Sequence, residues 1–108
     1  MNDFRICVPT TDQKGLESRI GKSFGSSEYL TIVDIEKRKI KEVKSIKNLL
    51  YTHASPVTEF PELMDSLQID ILIVERAGGA CMELLHLSKV KAVVEKTGTV
   101  VEAVNSYL

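Results

Sequence analysis

The sequence predicts a three-layer α/β domain, a five-stranded mixed sheet with three helices, and three observations predict it. Strand-sized apolar runs alternate with amphipathic segments through the second half of the chain, the order expected of parallel strands joined by helices. Ile69 to Val74 is almost continuously apolar, as in a strand covered on both faces. The first half instead holds three strands with no helix between them, the second and third joined by the charged run Glu36-Lys37-Arg38-Lys39. The order reads β-β-β-α-β-α-β-α.

Each element follows from its residues. Ile6-Cys7-Val8 forms a first buried strand that Pro9 is expected to stop, since proline has no N–H for a ladder. Residues 10 to 24 make a polar, glycine-containing loop, long for so short a chain and of a kind that often carries function. Tyr29 to Ile35 is a second strand, and Ile40 to Ile46 a third. Strict alternation places Ile40, Glu42, Lys44 and Ile46 on one face of the third strand and Lys41, Val43, Ser45 and Lys47 on the other. That mixture fits an exposed edge strand guarded by lysines.

Thr58 is placed to cap a helix in which Phe60, Leu63, Met64 and Leu67 recur at helical spacing, with Pro61 tolerated in the first turn. After the strand from Ile69 to Val74, the pair Gly78-Gly79 turns into a second helix, and a short strand follows around Ala92-Val93-Val94. Thr99-Val100-Val101-Glu102 is a capping box that opens the last helix, with Val100, Ala103, Val104 and Tyr107 facing inward.

Composition narrows the function. The 108 residues suit one domain spanning 1–108, and 44% hydrophobic with 27% charged residues is ordinary for a globular protein. A net charge of -1 gives no pull toward nucleic acid or an anionic membrane. The two cysteines, Cys7 and Cys81, lie far apart and form no close-spaced metal or disulfide motif. No apolar run is long enough to span a bilayer and no leader pattern is visible, so a cytoplasmic location is expected.

If the second strand runs antiparallel between the first and third, the other four are parallel. Loops 10–24, 48–55, 75–80 and 95–98 then gather at the edge where open α/β sheets bind ligands. There, Leu72 to Leu85 carries the strongest local signal: an apolar strand, a glycine pair and a helix with Cys81 near its start. Gly78, Gly79 and Ala80 offer main-chain amides, and the helix dipole favours an anion or a thiolate at Cys81. Arg76 is a nearby cation, as is Arg19; Thr10 and Ser23 offer hydroxyls and His53 an imidazole.

Each of these residues also has a plainer reading. Cys81 shares a helical face with Leu84 and Leu85 and would serve as a small core residue. Thr10 and Ser23 would satisfy loop backbone, and Arg76 would pair with Glu75. Cys7 sits in an apolar strand and His86 late in a helix, where neither suggests chemistry. One cysteine and one histidine fall short of the four ligands of a structural metal site.

Several motifs recur together in order: Pro9-Thr10, Phe24-Gly25 with Tyr29, Gly78-Gly79 with Glu83-Leu84-Leu85, and Gly98-Thr99-Val100-Val101-Glu102-Ala103-Val104 with Tyr107-Leu108. As a set they resemble the dinitrogenase iron-molybdenum cofactor biosynthesis family, the small carriers and scaffolds of nitrogenase cofactor assembly and their relatives. The resemblance covers essentially the whole chain. It implies a ribonuclease-H-like α/β/α fold and non-covalent binding of a metal–sulfur cluster or an iron-molybdenum-type cofactor precursor. Cofactor-assembly proteins are the implied partners, and a homodimer is compatible with so small a domain.

The sequence departs from the family pattern at Ser23, where a histidine often stands, and at Asn48-Leu49-Leu50-Tyr51-Thr52-His53, which keeps the asparagine and one histidine. Carboxylates suited to nuclease chemistry are not expected to converge, because Asp34 and Asp70 fall at the wrong ends of their strands, and no nucleophile–base pair is spaced for catalysis. The expected function is a non-enzymatic binding protein for a metal–sulfur species. The alternative is a regulatory or interaction domain of the same fold that has lost the ligand.

Overall fold

The computed structural model describes residues 3–24, 26–49, 59–75, 90–93 and 98–108. Its strands are β1 (Phe4–Thr10), β2 (Tyr29–Glu36), β3 (Lys39–Lys47), β4 (Ile71–Ile73) and β5 (Lys91–Val93). Two α-helices lie among the described residues, α1 (Glu59–Ser66) and α2 (Val100–Tyr107), with one 3-10 turn at Gly15–Glu17. The second of the three helices expected from the sequence, following the glycine pair, falls outside the described residues. The five strands form one sheet in the order β3-β2-β1-β4-β5. β2 runs antiparallel to both neighbours while β1 pairs parallel with β4 and β4 with β5. β1, β3, β4 and β5 therefore point the same way.

Alternation along the strands divides the core into two layers. Cys7, Leu30, Ile32 and Leu72 face Met64 of α1, with Leu63 and Leu67 packed at the margin. Ile6, Val8, Val33, Ile35, Ile71 and Ile73 face Val100, Ala103 and Val104 of α2. Burying one such aliphatic side chain contributes about 1.5–3 kcal/mol, so both helices are held chiefly by these stripes rather than by helix propensity. The capping box on α2 is formed as its sequence predicts: Thr99 Oγ1 accepts from Glu102 N, and Glu102 Oε1 accepts from Thr99 N at 3.2 Å.

Two local features depart from the sequence expectation. β1 does not stop at Pro9 but continues through it to Thr10. The Pro9 carbonyl accepts from Gly21 N at 2.9 Å. A residue's N–H and C=O point to the same side of a strand, so the missing donor faces the returning loop and no bond to β2 is lost.

The second departure lies in β3, where strict alternation fails. Ile35 pairs with Ile40, but Asp34 pairs with Glu42, leaving Lys41 as the extra residue of a β-bulge. The bulge moves Ile40 onto the same face as Val43, and both pack against the α2 layer. Lys41 is released to solvent, where its Nζ lies 3.0 Å from Glu36 Oε2. A pair this exposed contributes little stability.

A further local feature is the end of α1. Gln68 N donates to Asp65 O and Ile69 N to Met64 O, each at 3.0 Å, while Gln68 takes a φ of 55°. This is a Schellman ending with glutamine in the left-handed position that glycine usually fills. Gln68→Gly is therefore expected to stabilise the protein by about 1 kcal/mol, read as a higher urea midpoint with unchanged slope. An unchanged or lower midpoint would refute the assignment of strain to residue 68. The Lys37-Arg38 hairpin turn is built in the same way, with φ of 53° and 63° and no glycine.

Candidate functional site

The parallel direction of β1, β3, β4 and β5 brings their carboxyl ends to one edge of the sheet. Thr10 ends β1, Asn48 follows β3, Val74 and Glu75 follow β4, and β2 enters from the same edge at Tyr29. This is the edge at which α/β sheets collect ligand-binding loops.

The long segment between β1 and β2 is stitched down at several points. Thr10 bridges to Ile20 and Arg19 bridges to Thr99. Gly21 N donates to Pro9 O, Ile20 N to Gly98 O and Val100 N to Ser18 O, all within 3.0 Å. Residues 18–21 thus tie the end of β1 to the start of α2. A Cβ on Gly21 would lie 1.9 Å from Ser27 Oγ, so only glycine permits the two turns of the loop to touch.

Of the residues that the sequence proposes for the site, Thr10, Arg19 and Ser23 fall in the described structure. Thr10 is fully buried. Its hydroxyl donates to Asp12 O at 3.0 Å and lies 3.1 Å from Thr31 Oγ1. A hydroxyl has one proton, so Thr31 is the donor of that second bond and Thr10 is occupied within the fold. Ser23 is half-buried, with Oγ 2.8 Å from Ser26 Oγ near the rim, and its carbonyl accepts from Ser27 Oγ at 2.6 Å. Arg76, Gly78, Gly79, Ala80, Cys81 and His53 lie outside the described residues, as does His86. Arg19 is exposed at this edge and makes no ion pair among the described residues.

The structure also shows a residue whose role the sequence does not reveal. Asn48 is 5% exposed, and its Nδ2 donates to Phe24 O at 2.8 Å and Ser27 O at 2.9 Å. The sequence marks Asn48 only as the asparagine kept from the family pattern; the contact itself is not legible there, because its partners lie 21 and 24 residues away.

Elsewhere the chemistry is quiet. Cys7 is buried among apolar residues, and burial alone raises its thiol pKa well above the ordinary range. Iodoacetamide at pH 8 is accordingly expected to leave Cys7 unmodified in the native protein and to alkylate it in urea, as read by peptide mass spectrometry. Native labelling of Cys7 would contradict this placement. Asp34 and Asp70 do converge, contrary to the sequence expectation. Because β2 runs antiparallel, its end and the start of β4 share the opposite edge of the sheet, where both carboxylates line a cavity of about 370 Å³ with Arg5, Glu36, Glu42 and Gln68. Among the described residues no group of three or more histidine, cysteine, aspartate or glutamate side chains is placed to hold a metal ion. Nor is any described helix long and apolar enough to cross a membrane.

Comparison with known proteins gives a family and a shared fold. Residues 5–108 match the family described as dinitrogenase iron-molybdenum cofactor. The NMR structure of a Thermotoga protein described as a NifB candidate is 25% identical, with a TM-score of 0.76 over 96% of this chain and 86% of that one. The apo form of the orange protein from Desulfovibrio gigas is 18% identical, with a TM-score of 0.76 over 95% of this chain and 85% of its own. A dinitrogenase candidate from Methanocaldococcus jannaschii is 14% identical, with a TM-score of 0.73 over 99% of this chain and 89% of its own. At these identities the last two show a shared fold. No curated protein matches the chain.

Proposed function

The chain belongs to the dinitrogenase iron-molybdenum cofactor family, and from that membership we propose that it is a non-catalytic carrier whose cargo is a metal–sulfur cluster or an iron-molybdenum-type cofactor precursor. The observation that carries this reading is the family match over residues 5–108, which takes in all but the first residue of the described strands and both described helices. The sheet order 3-2-1-4-5 with β2 antiparallel supports a ribonuclease-H-like arrangement. The parallel β4–β5 pair requires a crossover, which supports placing the third helix of that arrangement after Gly79.

Capture would combine main-chain donors and soft ligands. The amides of Gly78, Gly79 and Ala80 and the cation of Arg76 suit an anionic cluster, Thr10 and Ser23 frame the loop beside it, and Cys81 and His53 are the candidates for direct metal ligation. Cofactor-assembly proteins are the proposed partners of a cytoplasmic protein, and a homodimer is the proposed assembly. The test is amide shift mapping of labelled protein during addition of tetrathiomolybdate or an iron–sulfur species. The shifts are expected to cluster at residues 76–81 and 53. Shifts centred on the Arg5–Asp34 edge, or none, would refute the site.

A second reading is a regulatory or interaction domain of the same fold that has lost its ligand. The Ser23 hydroxyl, bonded to Ser26 rather than offered freely, is the observation that favours it.

A further inference from the structure

We propose that Asn48 is the positioning residue of the cargo edge, holding the 23–27 turn in the conformation that places Ser23 and Ser26 at the rim. The proposal rests on the carrier reading and adds to it a residue without any direct contact to cargo.

Asn48 links the end of β3 to the loop returning from β1. Both protons of its amide are used on one turn, at Phe24 O and Ser27 O, and its main-chain N–H donates to Glu28 O at 3.0 Å. Because both side-chain bonds go to carbonyls, the donor end of the amide is fixed. The turn then passes its order onward. Ser27, fully buried, donates to Ser23 O at 2.6 Å and packs on Gly21, whose N–H donates to Pro9 O. A continuous path of hydrogen bonds and contact thus runs from the edge strand to the carboxyl end of β1.

The chemistry demands a donor at residue 48. Asn48→Ala removes the buried amide donor from both carbonyls, although Phe24 O keeps its 3.3 Å bond from Ser27 N, and Asn48→Asp sets a carboxylate against them. Either change loosens the turn at Phe24, which packs in the α1 core layer, although Asn48 itself belongs to neither layer.

The experiment titrates the full chain with tetrathiomolybdate, followed by visible absorption, for wild type, Asn48→Ala, Asn48→Asp and the core variant Ile73→Val. Ile73 is fully buried in β4, distant in sequence from the turn, and controls for general loss of stability. Asn48→Ala and Asn48→Asp are expected to bind roughly tenfold more weakly or worse, while Ile73→Val binds as wild type does. If Asn48→Asp does not fold, Asn48→Ser carries the same comparison. A wild type that binds alongside an Asn48→Ala that binds equally overturns the positioning role alone. Equal loss in Ile73→Val overturns it too, since stability would then be the cause. A wild type that takes up nothing overturns the carrier reading, and the positioning role falls with it.

Discussion

Gly21→Ala is expected to destabilise the protein by about 3 kcal/mol, the upper end of what overpacking usually costs. A Cβ at residue 21 would meet Ser27 Oγ at 1.9 Å and Ser27 Cβ at 2.9 Å. Rotating the hydroxyl relieves only the first contact, so the backbone of one turn must move. Moving residue 27 breaks its 2.6 Å bond to Ser23 O and strains the Asn48 bond to Ser27 O. Gly21 is not among the positive-φ glycines, so alanine pays no backbone penalty there and the effect isolates the steric clash. Urea unfolding measures it. Gly21→Ala combined with Ser27→Gly is expected to recover part of the loss, whereas a single variant within about 0.5 kcal/mol of wild type, the range of ordinary surface changes, would contradict the close packing.

Arg5→Ala is expected to cost about 2 kcal/mol. Arg5 Nε donates to Asp34 Oδ1 at 2.6 Å and Nη1 donates to Leu67 O at 2.7 Å. One guanidinium therefore joins β1 to β2 and also satisfies a carbonyl at the end of α1, where a cation complements the helix dipole. Side-chain exposures of 28% for Arg5 and 22% for Asp34 place the pair between the surface and buried extremes, which is why the larger cost of a fully buried pair is not expected. In a cycle with Asp34→Ala, the double variant is expected to lose less than the sum of the singles, with a coupling of about 1–2 kcal/mol. Strict additivity would show that the two side chains do not interact in solution.

Much of this fold is legible where short-range chemistry decides. The Thr99–Glu102 capping box, the alternation in β1 and β2, and the double-faced burial of Ile71-Leu72-Ile73 all follow from the identity of neighbours. The parallel direction of four strands follows from connectivity once β2 is read as antiparallel. The misses share a different cause. Pro9 fits within β1 because a loop from residue 21 comes to its carbonyl side, and Ile40 changes face because a bulge at Lys41 brings it to the α2 layer. In each case tertiary packing outweighs a local preference worth about 1 kcal/mol.

The candidate site divides in the same way. The glycine pair, Cys81 and His53 stand out in the sequence because their residue types are chemically specific. Asn48, Gly21 and Ser27 do not, since their importance comes from meeting one another across the loop. The residues that shape such an edge are therefore harder to read than the residues that would hold its cargo.

The carrier account is tested most directly by purifying the protein without oxygen and measuring bound iron, molybdenum and sulfide beside its visible absorption, before and after incubation with iron–sulfur and thiomolybdate species. The account predicts stoichiometric uptake by the wild type that Cys81→Ala abolishes. A colourless protein that takes up neither species would contradict it.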